Sequence, residues 1–194
     1  MKTVIQIVLA LAIVVLVYLI YDSIMEPVRF NKEAARREAR IIERLKDIRT
    51  AQVAHRSRYG TFLGDLDSLV QFVKNDSIVI LRAIGTVPDS LTESEAVRLG
   101  IVQRDTFWMP ARDTLLNQAR YPLDSLPYIP FSGGKKFTIS ASMIERGMVE
   151  LPVFEAYTTP DEYMKDLPYL IYYTRLDGLK VGSLVEASID GNWE

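Results

Sequence analysis

From Val4 to Tyr21 the chain reads VIQIVLALAIVVLVYLIY, a run in which only Gln6 is strongly polar. No other feature restricts the fold as much. As a helix rising 1.5 Å per residue, the run is about 27 Å long, close to the ~30 Å hydrocarbon thickness of a bilayer. Tyr18 and Tyr21 stand at one end, where amphipathic rings settle at the membrane interface. Val4, Ile7, Leu11, Val15, Tyr18 and Tyr21 are therefore expected to form a membrane anchor, with the lipid bilayer as the first partner. A cleaved signal would have a shorter apolar region, about 7–15 residues, followed by a small-residue cleavage site. Here the exit reads DSIMEPVRF, so the helix is expected to remain on the mature chain. Gln6 has two readings of equal weight, a hydrogen bond to a neighbouring helix or a reach to the interface. The first is worth only about 1 kcal/mol of association.

The remainder has room for one modest domain. Of 194 residues, 48% are hydrophobic and 25% charged, an ordinary balance for a folded chain that argues against long disordered stretches. A formal net charge of -2 gives no reason to expect nucleic acid as a partner. The chain has no cysteine and one histidine, His55. That removes disulfides, thiolate nucleophiles, cysteine metal sites and a histidine-rich metal centre together. No cofactor is expected.

Orientation rests on two counts that disagree. Lys2 and the terminal amine precede the apolar run, while Asp22 and Glu26 flank its far end; this balance places the N-terminus in the cytoplasm. Arg29, Lys32, Arg36, Arg37 and Arg40 follow. Counted alone under the positive-inside rule, they place it outside. They are interleaved with Glu33, Glu38 and Glu43 on a predicted helix, and the expectation is an inner-membrane, single-pass protein with an extracytoplasmic head.

Pro27 is expected to break or kink the helix as it leaves the membrane, and Asn31 to cap a new one. Over residues 32–58, Ala34, Ile41, Leu45 and Ile48 fall on one stripe, continued by Gln52 and His55, with Ile42 and Val53 on its shoulder. Gly60 is a natural stop. A second helix is expected over residues 65–74, with Leu66, Leu69, Val70 and Val73 inward. Strands are expected over Ser77–Ile84, Thr106–Met109, Lys136–Ser142 and Met148–Tyr157, the last interrupted by Pro152. Short helices are expected over residues 92–99, capped by Thr92 with Glu95, and over Asp161–Leu167. Residues 121–131, with Pro122, Pro127 and Pro130, read as a loop packed over a sheet. Leu170–Thr174 and Leu179–Leu184 suggest a hairpin around Asp177-Gly178. The fold class is thus α+β: an anchor over residues 1–24, a linker and amphipathic helix over 25–58, and a head with a small, mostly antiparallel sheet over 59–194. Ile41, Leu45, Ile48, Tyr59 and Phe62 are expected to pack helix against head.

Candidate chemistry is sparse. Ser132-Gly133-Gly134-Lys135-Lys136 lacks the spacing of a phosphate loop and precedes a strand, so it reads as a glycine turn. His55 has no neighbouring nucleophile motif and reads as a packing or interface residue. Glu186, Asp190 and Glu194 lack the spacing of a calcium loop and read as a solvated acidic tail. The aromatic-rich stretch Tyr121–Phe131 reads as packing rather than as a ligand or sugar site.

The stretch IERLKDIRTAQVAHRSRYGTF, followed by LDSLVQFV, resembles the type IV pilins and type II secretion pseudopilins. In that class the long first helix ends in a pattern that Ile48, Ala51, Ala54, Tyr59, Gly60 and Phe62 approximate. The likeness covers about the first 75 residues. Gln6 stands near the place of the family's register-setting glutamate, and no basic leader ending in glycine before phenylalanine is present. The resemblance therefore implies shape, a helix bearing a small β-sheet head, rather than processing or polymerisation. More loosely, the chain is similar to anchored envelope proteins of the Bacteroidetes. The function expected is a non-enzymatic, pilin-like structural or assembly subunit of an envelope or secretion machine. Its partners would be other envelope membrane proteins or further copies of itself. The alternative is a membrane-tethered module that binds a peptide, glycan or protein.

Overall fold

A single helix, α1 (Lys2–Tyr59), occupies the first 58 residues after Met1 in the computed structural model, which describes residues 1–84, 92, 95, 103–117, 119–168 and 170–194. At 1.5 Å per residue it is about 87 Å long. Beyond Phe30 its sequence favours helix through long unbranched side chains, alanines, and ion pairs such as Arg36–Glu33 and Arg40–Glu43, both at 3.2 Å. It stops at Gly60, whose N–H still bonds the Arg56 carbonyl at 2.8 Å and whose φ of 78° then turns the chain out of the helix, a left-handed cap that other residues resist.

The expected break at Pro27 and the restart at Asn31 do not occur: Pro27 lies inside α1. A proline removes one backbone donor and crowds the preceding turn, at a cost of about 3 kcal/mol in a helix interior. Contacts on both sides of the weakened turn offset that cost. Arg29 reaches back across it to Asp22 at 3.2 Å, and Phe30 is buried with its ring stacked on Tyr172 at 5.3 Å.

Beyond Gly60 comes α2 (Leu66–Asn75), capped by Asp65, which accepts from the Ser68 N–H at 2.7 Å. Leu66, Leu69, Val70 and Val73 are buried, as their spacing predicts. Strand β1 (Ser77–Ile84) pairs antiparallel with β2 (Gln103–Pro110), and a short α3 (Ala111–Leu115) follows. The helix expected over residues 92–99 lies outside the described residues apart from Thr92 and Glu95. Those two make the expected capping contact, Thr92 N–H and Oγ1 bonding Glu95 Oε2 at 3.0 and 2.7 Å.

A second sheet has the order β3-β4-β5, formed by β3 (Thr138–Arg146), β4 (Val149–Thr158) and β5 (Leu179–Gly182), all antiparallel. Between β4 and β5 lie α4 (Pro160–Met164), with Thr159 and Glu162 in a capping box, and α5 (Leu170–Tyr173). Pro152 does not interrupt β4. It sits opposite Met143, and β5 reaches only as far as Glu155, so no ladder bond is lost on that side. The expected hairpin of residues 170–174 with 179–184 is not formed. One edge of β5 is taken by β4 and the other carries a bridge from Val181 to Gly191, which leaves no edge for residues 170–174.

The loop over residues 121–131 lies against α1. Leu126 and Ile129 enter the core, and Arg44 donates to the Ser125 carbonyl. The core runs along α1 from Phe30 to Ala51 and closes with Phe62, Leu69, Val73, Phe154, Tyr163 and Val181. The fold is α+β, with a long N-terminal apolar helix and small antiparallel sheets.

Candidate functional site: an apolar helix seated in the head

The two halves of α1 meet different surroundings. Val4, Ile7, Leu11, Val15, Tyr18 and Tyr21 are between 47% and 65% exposed, and the apolar window that contains them has no burial within the protein. This part of α1 is long and apolar enough to cross a membrane. Met25 and Pro27 are half-buried, Phe30 is buried, and from there every third or fourth residue is covered: Ala34, Arg37, Ile41, Leu45, Ile48, Gln52 and His55.

Ile41, Leu45 and Ile48 have no exposed surface, and Phe62 packs its ring 4.7 Å from Phe154. Tyr59 differs from them in being half exposed. Its ring lies 4.8 Å from His55 and its hydroxyl donates to Asp76 at 2.8 Å. That bond to a carboxylate raises the phenol above its usual range. Gln52 is fully buried and grips one residue twice: its Nε2 donates to the Leu63 carbonyl at 2.6 Å, and its Oε1 accepts from the Leu63 N–H at 2.9 Å.

Three arginines flank this stripe, the first two seven residues apart and the third fourteen further on, so each lies on nearly the same side of the helix. Arg37 is buried and donates to the Tyr163 carbonyl at 2.6 Å, to Asp166 Oδ2 at 2.8 Å and to Glu33 at 3.1 Å, beneath the Phe131 ring. Arg44 lies 3.4 Å from the ring centroid of Tyr121, whose hydroxyl donates to Asp47. Burial pushes the Tyr121 phenol and the Asp47 carboxyl up. Arg58 pairs with Asp76 at 3.2 Å and lies 5.3 Å from the Trp108 ring. Each rung ties α1 to a segment distant in sequence. The spacing in multiples of seven was available in the sequence, but guanidinium groups read by type alone look like a solvated face.

The remaining candidate groups each have a partner in the fold. His55 Nδ1 lies 2.7 Å from the Thr61 carbonyl, and its ring is wedged between Tyr59 and Phe72; with Nδ1 protonated it is a donor that fixes the turn after α1. In the glycine turn, Gly133 and Gly134 have φ of 70° and 101°, and Lys136 is held by Asp67 at 2.6 Å. Glu194 pairs with Arg49 at 2.8 Å, and Asp190 accepts from Ser188 at 3.0 Å. Among the described residues no three acidic or histidine side chains converge as a metal site. The helix α1 thus has one half bare and one half fastened to the head.

No protein-family model, curated protein or solved structure matches this chain.

The Arg37 rung yields a prediction. The Arg37 guanidinium, mainly through its hydrogen bonds, holds the Asp166 carboxyl below the usual carboxylate range. A depressed native pKa contributes stability above about pH 3.9 that is lost as pH falls through the native value. Arg37→Met should lower stability by about 2 kcal/mol, less than for a fully buried pair because Asp166 can rehydrate. It should also flatten the acid limb of the stability profile. Thermal melts of detergent-solubilised protein between pH 3 and 7 measure both effects, and an unchanged acid limb would remove the assigned role of the pair.

Proposed function

We propose that this chain is a single-pass membrane protein of the bacterial inner membrane. Its bare apolar half-helix is the anchor, and the α+β head stands on the extracytoplasmic side as a non-enzymatic, pilin-like structural or assembly subunit. The observation that carries the reading is the continuity of α1. One uninterrupted helix passes from a lipid-like requirement to a protein core, so the head is set on its anchor at a fixed height and angle. A tethered enzyme gains little from such stiffness, whereas a subunit that must meet neighbours in register depends on it. The pilin-like ending of α1, with Gly60 as its stop, points the same way, and partners would be membrane proteins of the same assembly or further copies of the chain.

Proteinase added to intact spheroplasts should digest the head and leave a short membrane stub. A head that survives until the membrane is opened would reverse the topology and remove the pilin-like reading. Gentle solubilisation followed by copurification tests the role itself: recovery of a multi-helix membrane assembly, or of further copies, supports it.

One observation favours the alternative of a tethered binding module. Val79, Phe107, Trp108 and Met109 on the β1–β2 ribbon are between 41% and 62% exposed. Val79 and Trp108 pair on one face of the ribbon, with Phe107 and Met109 on the other, and exposed aromatic and apolar groups of this kind suit a protein partner. Copurification of one soluble target, lost on Trp108→Ala, would decide for that reading.

A further inference from the structure

We propose that the near end of the head, α5 with its flanking Lys165 and Arg175, rests on the lipid headgroup layer of the membrane that holds α1. The inference rests on the anchor reading and adds a second lipid contact, made by the head itself.

Distances along α1 set the height. Met25 lies four residues past Tyr21, about 6 Å, and Phe30 nine residues past it, about 14 Å. The polar layer of each leaflet is about 5–8 Å deep beyond the hydrocarbon. Met25 and Pro27 are already half-buried, so the head starts to cover α1 within or just above headgroup depth. The Phe30 ring stands about 6–9 Å above the outer edge of that layer and fixes α5 beside it, and side chains reach about 5–6 Å from a helix axis toward the layer. Tyr172 stacks on it at 5.3 Å with 26° between planes, and the next residue, Tyr173, is buried. Held by those two rings, α5 leaves Ile171 outward and 68% exposed.

On α1 itself, Ile24 and Val28 are 61% and 52% exposed. Exposed apolar side chains thus follow the span past Tyr21, and Ile171 presents another on the head at the level of Phe30. Their height just beyond the span favours lipid as the occupant. Charge is balanced at this level: exposed Arg29, Lys32, Lys165 and Arg175 stand among exposed Glu26, Asp161, Asp166 and Asp177. The contact is therefore apolar and interfacial, and needs no anionic lipid. The continuous helix keeps α5 from swinging away.

The absence of cysteine makes single-cysteine labelling of the full chain direct. Ile171→Cys, Met148→Cys and Val15→Cys, each carrying an environment-sensitive fluorophore, are reconstituted in phosphatidylcholine vesicles. Met148 is 93% exposed at the turn between β3 and β4, and that hairpin packs beside Phe62 and Gly64 at the far end of α1, so it reports the aqueous reference. The label at 171 should be quenched several-fold more strongly than the label at 148 by lipids carrying a quencher in the headgroup or upper acyl chain. The label at 15 should answer to a mid-chain quencher. If 171 matches 148, open to aqueous iodide and silent to lipid quenchers, while 15 is still quenched, the head contact is overturned and the anchor stands. If 15 is also silent, the anchor reading falls and the head contact with it.

Discussion

Leu45→Asp should abolish cooperative folding of the head while leaving the apolar half of α1 helical. Leu45 has no exposed surface and sits midway along the stripe between Ile41 and Ile48. Truncating a buried leucine costs about 2–5 kcal/mol. Placing a carboxyl there adds the cost of an unpartnered polar group, another 1–3 kcal/mol or more. The sum rivals the whole stability of a typical domain, about 5–15 kcal/mol. No local loss can contain it, because α4 and α5, the 121–131 loop, α2 and the chain end all attach to successive levels of α1. Near-ultraviolet circular dichroism in detergent should lose its tertiary signal while far-ultraviolet helix signal persists from the span. Leu45→Met, which conserves volume, should cost less than about 1.5 kcal/mol. A cooperative melt for Leu45→Asp near that of the parent would show that the stripe does not carry the head.

What could be read from the sequence depended on the reach of each signal. The stripe through Ile41, Leu45, Ile48, Gln52 and His55 and the inward face of α2 repeat at helical spacing, and both are buried as that spacing requires. Gly60 and Asp65 act through their nearest turns, so those boundaries were legible as well. Failures came where distant contacts outweighed local preference. Pro27 carries a strong breaking tendency, but Phe30 finds Tyr172 more than a hundred residues away, and the helix continues. Residues 170–173 have a strand-like composition, yet β5 already has a neighbour on each edge. With no edge to join, the segment folds as a short helix whose tyrosines serve the core. The arginine rungs were missed for a related reason. Whether Arg37 is a solvated charge or a buried tie depends on Asp166, Tyr163 and Phe131, none of them near it in sequence. Strand β3 was expected over Lys136–Ser142 but spans Thr138–Arg146, because the Ser132–Lys136 turn takes the first residues and β4 extends the pairing to the Gly147-Met148 turn.

Gln52→Glu should destabilise the protein by about 3 kcal/mol at neutral pH and recover much of that loss on acidification. The amide of Gln52 both donates to the Leu63 carbonyl and accepts from the Leu63 N–H, closing the turn that joins α1 to α2. An ionised carboxylate only accepts, so the Leu63 carbonyl would face it with no donor between them, inside a fully buried site. An unsatisfied buried acceptor costs about 1–3 kcal/mol, and a buried charge adds to it. Burial and the opposing carbonyl both favour the protonated acid, whose hydroxyl replaces the lost donor, so the native pKa of the introduced group must rise. Its unfolded value stays near about 4.3. A group whose native pKa is raised binds protons more tightly when folded, so stability falls as pH climbs from about 4.3 through the native value. Asp65 and Asp166 add no slope to the parent over this range, since their carboxyls are held below the usual carboxylate range and lose their contribution only below about pH 3.9. The difference in melting temperature between parent and variant should therefore narrow steadily from about pH 7 toward about pH 4.5. Gln52→Leu, which cannot titrate, should show a similar deficit at neutral pH with no narrowing. Parallel curves for Gln52→Glu and Gln52→Leu would mean that the Leu63 clamp is not the source of the loss.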